Sequence, residues 1–285
     1  MNNPFDNFDI IYYINLDSRL DRKESILHEL QKMNINITKI KRIAGVVDKI
    51  PALGCYKAHL NCLYDFKENK YNNCLIFEDD FIFNYDMIQT YNYLNNFFAN
   101  NIEWDVIMIS YIANKYKFTN FDFILKLDDA QTASGYGVNK NFLDTLLKNY
   151  EEGSRKMSKV KFAKHTLCND QYWKILQPCS NWFGINPTLG HQKENYSDIQ
   201  KKIIDGYADN FGFIQPPKKN KILFKIITNE NENENEIKDK DNNIYYVIEN
   251  KLLNNNFIIN EHKKIIQIKS LNEIDKYIKI LFPNN

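Results

Sequence analysis

Residues 74–83 read Cys-Leu-Ile-Phe-Glu-Asp-Asp-Phe-Ile-Phe, an apolar run that ends in three consecutive carboxylates and then turns apolar again. The apolar run predicts a buried β-strand. Three adjacent carboxylates repel one another, and a fold tolerates them at a strand end mainly when it holds a divalent cation with oxygen ligands there. Because side chains alternate along a strand, we expect Glu78 and Asp80 on one face and Asp79 on the other. The alternative is an acidic turn or a helix N-cap before a segment that starts near Asp86.

Strand-like and helix-like segments alternate on both sides of this run. Apolar runs predict strands at 9–15, 37–43 and 104–109 and an extended segment at 130–138; helical spacing predicts helices at 20–33, 55–66, 91–98 and 142–147, with Pro51 in a loop. This alternation predicts an α/β domain with a mostly parallel central sheet. Ligands of such sheets collect beyond the carboxyl ends of the strands, where Asn15 and Glu78 would lie. A second acidic pair, Asp128 and Asp129, follows no clear apolar strand and is expected in a loop.

The character of the chain changes near residue 216. Pro216 and Pro217 precede a lysine-rich stretch, and residues 229–236 alternate Asn and Glu, which predicts a solvated loop. Strand-like segments at 222–228, 244–248 and 265–268 and a helical pattern at 271–282 surround this loop. We therefore predict a main domain over residues 1–216 and a small C-terminal α+β appendage over residues 217–285. The appendage either packs on the main domain or offers a surface to a partner or a second copy.

Composition limits the classes of partner. The 285 residues carry 37 Lys and Arg against 36 Asp and Glu, a net charge of +1, so nothing in the bulk charge calls for nucleic acid or an anionic membrane. Five cysteines without a Cys-x-x-Cys pair favour reduced thiols. The first residues lack a signal-peptide pattern, and no apolar stretch approaches the roughly 18 residues of a membrane span. We expect a cytoplasmic protein without a membrane span.

Several segments together resemble glycosyltransferase family 25, which includes lipooligosaccharide and procollagen galactosyltransferases. The matching segments are Tyr13-Ile14-Asn15-Leu16-Asp17 with Arg19 and Arg22, Leu53-Gly54-Cys55 with Ala58-His59, Leu75 to Asp80, Ser134 to Val138, Asp170-Gln171-Tyr172, and Pro187 with Gln192 and Ser197-Asp198-Ile199. Their order over residues 9–199 carries the resemblance, which stops before the appendage. It implies a GT-A-like nucleotide-sugar-binding domain that transfers a sugar from a UDP-sugar with inversion, with Mn²⁺ (or Mg²⁺) as cofactor.

The resemblance and the acidic strand end together suggest a set of metal ligands. Glu78 and Asp80 would hold the metal, which stabilises the charge that develops on a leaving diphosphate. His191 is a candidate third ligand, although the family more often has Gln in this loop. Asp79 would orient the loop or a sugar hydroxyl. His59 shares an apolar helix face with Cys62, which favours a buried, hydrogen-bonded structural role over ligation.

Other residues are candidates for the reaction and for binding the donor. Asp170 is the candidate general base, with a helix cap as an equal alternative, and Asp198 competes for a base or metal role. Arg22 would pair with the diphosphate, unless it lies on a solvated helix face. Asn15 and the pair Gly135 and Tyr136 complete the donor-binding candidates, the glycine by close backbone approach to a ligand or as a bulge in a strand.

The predicted function is therefore that of a metal-dependent inverting glycosyltransferase. It would move a hexose, galactose or glucose, from a UDP-sugar to a hydroxyl of a glycan or of a hydroxylysine-like acceptor, as a monomer or a homodimer. The family usually has an acid and a serine where this chain has Ala52 and Ala58. The alternative is therefore a catalytically silent module that keeps the fold and binds glycans or nucleotide sugars.

Overall fold

The computed structural model describes residues 2–193 and, beyond them, the backbone of six short strands. The chain divides into two compact units, residues 1–214 and 215–285. In the first unit the strands are β1 (Ile10–Asn15), β2 (Ile40–Ala44), β3 (Asn73–Glu78), β4 (Phe81–Phe83), β5 (Val106–Phe118), β6 (Ile124–Asn139), β7 (Trp182–Ile185), β8 (Gly190–Gln192), β9 (Asn195–Ser197) and β10 (Lys202–Ile204). The α-helices described there are α1 (Leu20–Lys32), α2 (Pro51–Glu68), α3 (Met87–Ala99), α4 (Lys140–Met157) and α5 (Asn169–Tyr172). Short 3₁₀ helices lie at Pro4–Asn7, Ile37–Lys39, His165–Leu167 and Trp173–Cys179.

A six-stranded sheet in the order β2-β1-β3-β6-β5-β7 forms the centre of the first unit. β1 pairs in parallel with β2 and β3, β5 pairs in parallel with β7, and β6 pairs antiparallel with β3, β5 and β7. Five of the six strands therefore point the same way. The predicted α/β class with a mostly parallel central sheet is confirmed.

Both faces of the sheet are buried, which explains why its strands are continuous apolar runs. Ile10, Tyr12 and Ile76 pack in one core cluster with residues of α2 and α4. Their neighbours Ile11 and Phe77 pack in a second cluster with residues of α1 and α3. This alternation makes three layers, with helices on both sides of the sheet, and leaves the strand ends as the place for polar chemistry.

The start of α2 differs from the sequence expectation, and the start of α3 decides between two alternatives for the acidic residues. Pro51 is the first residue of α2 and does not lie in a loop; a proline is tolerated there because the first-turn N–H has no partner within the helix. Asp86 caps α3 by accepting a hydrogen bond from the Gln89 N–H at 2.8 Å. The cap before α3 is thus Asp86, and the upstream carboxylates do not serve this purpose.

Strand β6 corrects another expectation. Asp128 and Asp129 lie within this 16-residue strand, where they are paired with β5, and do not lie in a loop. Lysines neutralise both acids, since Lys117 contacts Asp128 at 2.9 Å and Lys174 contacts Asp129 at 2.7 Å. A strand accepts a buried carboxylate when a lysine from a neighbouring element pairs with it.

In the second unit the described residues form one four-stranded sheet. Its strands are β11 (Leu223–Ile227), β12 (Ile244–Glu249), β13 (Phe257–Asn260) and β14 (Ile265–Ile268), in the order β11-β12-β14-β13. β11, β12 and β14 correspond to predicted strands, whereas β13 was not predicted. The predicted loop at 229–236 and helix at 271–282 lie outside the described residues. Among the helices that the structure describes, none has the length and apolarity to cross a membrane.

Candidate functional site

The acidic cluster lies at the carboxyl end of β3. Glu78 is the last residue of the strand, Asp79 and Asp80 form a turn, and β4 begins at Phe81. Asn15 ends the adjacent parallel strand β1, so its side chain reaches the same edge of the sheet. The carboxyl ends of parallel strands therefore place an amide and three carboxylates together, as the sequence pattern predicts.

The two oxygens of Glu78 face different partners. Oε1 lies 3.1 Å from His59 Nε2 and 3.6 Å from Cys55 Sγ, both on α2. Oε2 accepts a hydrogen bond from Gln192 Nε2 at 3.0 Å. Burial raises the pKa of Glu78, but the interactions with His59, Cys55 and Arg22 together outweigh burial and lower it overall. Glu78 is therefore held as a carboxylate between α2 and β8.

Asp80 lies beside Glu78 and is hard to ionise. Gln192 Nε2 donates to its Oδ1 at 3.4 Å, and Arg22 Nη1 lies 3.5 Å from its Oδ2. Burial, followed by the charge of Glu78, raises the pKa of Asp80 to about 7. Gln192 thus contacts both carboxylates, and the residual repulsion between them favours a cation at this point.

Asp79 faces another set of partners. Asn15 Nδ2 donates to Asp79 Oδ2 at 2.7 Å, and Arg22 Nη1 contacts Asp79 Oδ1 at 3.1 Å. Burial raises the pKa of Asp79. Arg22 is mostly buried against the two aspartates, with a side chain 12% exposed, and does not lie on a solvated helix face. Asn15 is also buried and accepts a hydrogen bond from Arg42 Nε at 3.2 Å, so Asn15, Arg22 and Asp79 together fix the acidic turn.

Asp170 lies in the first turn of the short helix α5 but does not cap it. Its Oδ2 accepts hydrogen bonds from the Thr132 N–H at 3.2 Å and from Gln171 Nε2 at 3.4 Å, and the N-cap position is Cys168. Burial raises the pKa of Asp170, and the charge of Glu78 adds to the rise. Thr132 has φ of 84°, a strained conformation for a β-branched residue. Backbone strain of this kind concentrates at functional sites, and here it aims an N–H at Asp170.

His191 and Gln192 are neighbours on β8, where side chains alternate between faces. The side chain that contacts Glu78 and Asp80 is Gln192, whereas His191 Nδ1 is hydrogen bonded to Asn84 Oδ1. Burial lowers the pKa of His191. The structure therefore brings Gln192, and not the predicted ligand His191, to the carboxylate pair.

Gly135 and Tyr136 lie inside the domain. A Cβ on Gly135 would approach Phe81 Cε2 to 2.9 Å, so the glycine serves the packing of an aromatic ring and does not bring the backbone to a ligand. Tyr136 is fully buried, and its hydroxyl lies 2.9 Å from His59 Nδ1. Tyr136 therefore supports the site from beneath through His59. Asp198 lies outside the described residues.

Three residues that the sequence did not predict as part of the site contact its carboxylates. His59 is buried and hydrogen bonded, as expected, but one of its partners is Glu78. Cys55 contacts the same oxygen, and Gln192 contacts the other. The sequence signal for His59 was a polar histidine on an apolar helix face. The contact of Gln192 has no local signal, because it depends on a strand 112 residues after Asp80.

The carboxylate pair, the arginine and the partly buried acid Asp170 on α5 form one polar group at the edge of the sheet. No protein-family model matches the chain, and no curated protein matches it. Solved structures resemble it over about two thirds of its length, at low identity. A197 from STIV is 13% identical with a TM-score of 0.39, covering 68% of this chain and 92% of that chain.

A glycosyltransferase involved in the glycosylation of the major capsid of PBCV-1 is 7% identical with a TM-score of 0.39, covering 62% of this chain and 81% of that chain. A mannose-1-phosphate geranyltransferase from Thermus thermophilus is 8% identical with a TM-score of 0.37, covering 62% and 72% of the two chains. Likeness at this level assigns no function, which has to be argued from the site itself.

Proposed function

We propose that the first unit is the GT-A-like domain of a metal-dependent inverting glycosyltransferase. It moves a hexose, galactose or glucose, from a UDP-sugar to a hydroxyl of a glycan or of a hydroxylysine-like acceptor. The observation that carries the proposal is the carboxylate pair Glu78 and Asp80, partly buried together at the carboxyl edge of a parallel sheet with their repulsion incompletely neutralised. The family-like order of segments in the sequence supplies the substrate class.

The residues at this edge suit a hard divalent cation such as Mn²⁺ or Mg²⁺. Glu78 Oε2 and Asp80 Oδ1 both lie within 3.4 Å of Gln192 Nε2, so they converge on one point. The oxygen and nitrogen of a glutamine amide are assigned from their partners, and a turned amide would offer an oxygen to a cation. Glu78, Asp80 and Gln192 would therefore hold the metal, in preference to His191. When bound, the metal would neutralise the charge of the leaving diphosphate.

Asp170 would act as the general base that accepts the proton of the acceptor hydroxyl. A raised pKa makes a carboxylate a stronger base, and burial together with the charge of Glu78 raises the pKa of Asp170. The Thr132 N–H fixes the carboxylate at 3.2 Å. Arg22, held beside Asp79 and Asp80, lies where it could also contact a bound diphosphate.

The same hydrogen bonds motivate a second candidate, a silent module that binds a nucleotide sugar without transfer. Asp170 is already engaged by Thr132 and Gln171, and a base has to be free to reach its substrate. Ala52 and Ala58 are buried in α2, where the family carries polar residues. This candidate predicts binding of the donor without its turnover.

Calorimetric titration of the full chain with UDP and UDP-hexoses, with Mn²⁺ or with a chelator, tests the proposal. We expect binding that requires Mn²⁺ and that weakens at least about 100-fold in Asp80→Asn, since a lost ligand should cost more than a lost partner of a ligand. Asp129→Asn, an acid of the same sheet, should bind like the unchanged protein. Absence of Mn²⁺-dependent binding to UDP and to every UDP-hexose would refute the proposal.

Release of UDP then separates the enzyme from the silent module. In the enzyme, Asp170→Asn keeps Mn²⁺-dependent binding of the UDP-hexose but loses its hydrolysis or transfer. In the module, the unchanged protein already binds the donor without releasing UDP.

A further inference from the structure

Three side chains of the metal-ligand type meet beneath the acidic edge. Cys55 and His59 lie four residues apart on α2 and share one face of the helix. Glu78 approaches them from the end of β3. Each side chain offers one ligand atom, and these three atoms lie within 4.8 Å of one another: Cys55 Sγ, His59 Nε2 and a carboxylate oxygen of Glu78.

The separations suit a tetrahedral ion. Cys55 Sγ is 3.6 Å and His59 Nε2 is 3.1 Å from Glu78 Oε1. Zinc bonds of about 2.3 Å to sulfur and about 2.1 Å to nitrogen and oxygen place tetrahedral ligand atoms about 3.6 Å apart for sulfur and oxygen and about 3.4 Å apart for nitrogen and oxygen. Two of the three ligand pairs therefore already stand close to the separations that a zinc ion requires.

The second nitrogen of His59 has the partner that a metal-bound imidazole needs. Nδ1 lies 2.9 Å from the Tyr136 hydroxyl, which in turn lies 3.4 Å from the Tyr150 hydroxyl, and all three side chains are fully buried. With a metal on Nε2, the proton of a neutral His59 lies on Nδ1 and is donated to Tyr136. Outer partners of this kind fix the ring and its tautomer.

An independent observation lies on the other side of Cys55. Asn169 is 6% exposed, and its Oδ1 lies 3.9 Å from Cys55 Sγ. Within residues 2–193, its Nδ2 is buried without a hydrogen-bond partner. A buried amide that is only half satisfied is costly, and a water bound beside Cys55, as the fourth ligand of an ion, would offer its N–H an acceptor.

We propose that Cys55, His59 and Glu78 bind a zinc-like divalent ion. Glu78 Oε1 would bind this ion, whereas Oε2 would bind the proposed Mn²⁺. The Glu78 carboxylate would therefore lie between a site with nitrogen and sulfur ligands and a site with oxygen ligands. Thiolate and imidazole ligands select zinc, and carboxylates select Mn²⁺ or Mg²⁺. Binding releases the thiol proton of Cys55 to solvent and forms the sulfur–metal bond. The site goes beyond the proposed transferase reaction and does not depend on it.

Cobalt titration of the full chain, freed of metal by a chelator, tests this site. We expect a thiolate-to-cobalt charge-transfer band in the near ultraviolet that saturates at one Co²⁺ per chain and is lost in competition with Zn²⁺; Co²⁺ at the proposed oxygen site gives no such band. Cys55→Ser should lose the band, and His59→Gln should weaken binding at least about 10-fold. Tyr136→Phe should keep the band and weaken binding about 10-fold, because only the outer partner of His59 is lost.

Two variants control for the thiol and for the oxygen site. Cys168→Ser removes another half-buried thiol of the same region and should keep the band. Asp80→Asn should keep the band while losing Mn²⁺-dependent binding of UDP, which separates this inference from the proposed function. A Co²⁺ complex without a charge-transfer band in the unchanged protein overturns the inference, whatever the folding of the variants. So does a band that persists in Cys55→Ser or disappears in Cys168→Ser.

Discussion

Glu78 and Asp80 at the end of β3 and Asp128 and Asp129 within β6 are acidic pairs on adjacent strands of one sheet, but their surroundings differ. Each aspartate of β6 has its own lysine, and a hydrogen bond from that lysine lowers the pKa of each. At the end of β3, burial and the neighbouring charge of Glu78 raise the pKa of Asp80 to about 7. The pKa of Asp80 thus shifts in the opposite direction to the pKa values of the two aspartates of β6.

The difference lies in the number of cations. Within residues 2–193, the ion pairs of Glu78, Asp79 and Asp80 involve one arginine, Arg22, and the histidine His59. Three acids that share these two partners keep negative charge for an ion from solution, whereas Asp128, with Lys117 and Lys126, and Asp129, with Lys174, are already neutralised by at least one lysine each. An acidic cluster therefore indicates a cation site when its cations are counted, and not from its composition alone.

The largest expected effect comes from removing Arg22. Its side chain is 12% exposed and contacts Asp79 and Asp80, whose side chains are 10% and 17% exposed. Arg22→Ala leaves two buried carboxylates without their cation, which should lower the free energy of unfolding by about 3 kcal/mol. Urea unfolding of the metal-free protein, followed by circular dichroism, measures the change.

Lys174→Ala, which removes the lysine partner of Asp129 on β6, is the matched control. Its partner Asp129 has a side chain 41% exposed, so water replaces the lysine, and the loss should stay below about 1 kcal/mol. Equal losses in the two variants would contradict the distinction between the acidic pairs.

A second prediction is a change of sign between Asp80→Asn and Asp128→Asn. Because the pKa of Asp80 is raised in the fold, its contribution to stability is full below the pKa of an unfolded aspartate and is lost as the pH rises through about 7. Asp80→Asn should therefore stabilise the metal-free protein above pH 7. We expect about 2 kcal/mol, because the free energy of the pKa shift belongs to the interacting pair and is divided between Asp80 and Glu78.

Asp128 should behave in the opposite way. Its pKa is lowered, first by the hydrogen bond from Lys117, so its stabilising contribution is present above the pKa of an unfolded aspartate and is lost as the pH falls through the lowered value. Asp128→Asn should destabilise the fold at neutral pH. Thermal unfolding of both variants from pH 4 to pH 8 checks the signs, and two variants that move in the same direction at pH 8 would sink the argument.

Local pattern predicted the scaffold of the fold. The apolar runs of β1 and β3 and the helical spacing of α1, α2 and α4 each bury their own side chains, so the information lies in neighbouring residues. The length and reversed direction of β6 could not be predicted in this way, because they depend on which strands flank it. The pairing of β4 with β8 is equally inaccessible, since three-residue strands carry almost no pattern.

The site was predictable to the same extent. Glu78 and Asp80 lie close together in sequence at a strand end, and the alternation of side chains along a strand is enough to predict that they share a face. The partners that set their charge come from far along the chain: His59 is 19 residues from Glu78, and Gln192 is 112 residues from Asp80. Alternation along β8 then decides that Gln192, and not His191, contacts the carboxylates, and this choice follows only from the register Phe81 to Gln192.

The smallest predicted effect is the pH dependence of Mn²⁺ binding. The metal requires Asp80 as a carboxylate, and its pKa of about 7 means that protons compete for the site near neutral pH. The affinity for Mn²⁺ should fall by up to about 10-fold between pH 7 and pH 6 and change little above pH 8. Electron paramagnetic resonance titration of free Mn²⁺ measures it.

The acids of β6 provide a control for this pH dependence. Since the pKa values of Asp128 and Asp129 are lowered by their lysines, neither exchanges a proton between pH 6 and pH 8. Asp129→Asn should therefore leave the pH profile of Mn²⁺ binding unchanged, whereas the residual binding of Asp80→Asn should lose its slope. A flat profile in the unchanged protein would mean that Asp80 is already ionised without metal, and the two acidic pairs would then differ in position but not in charge.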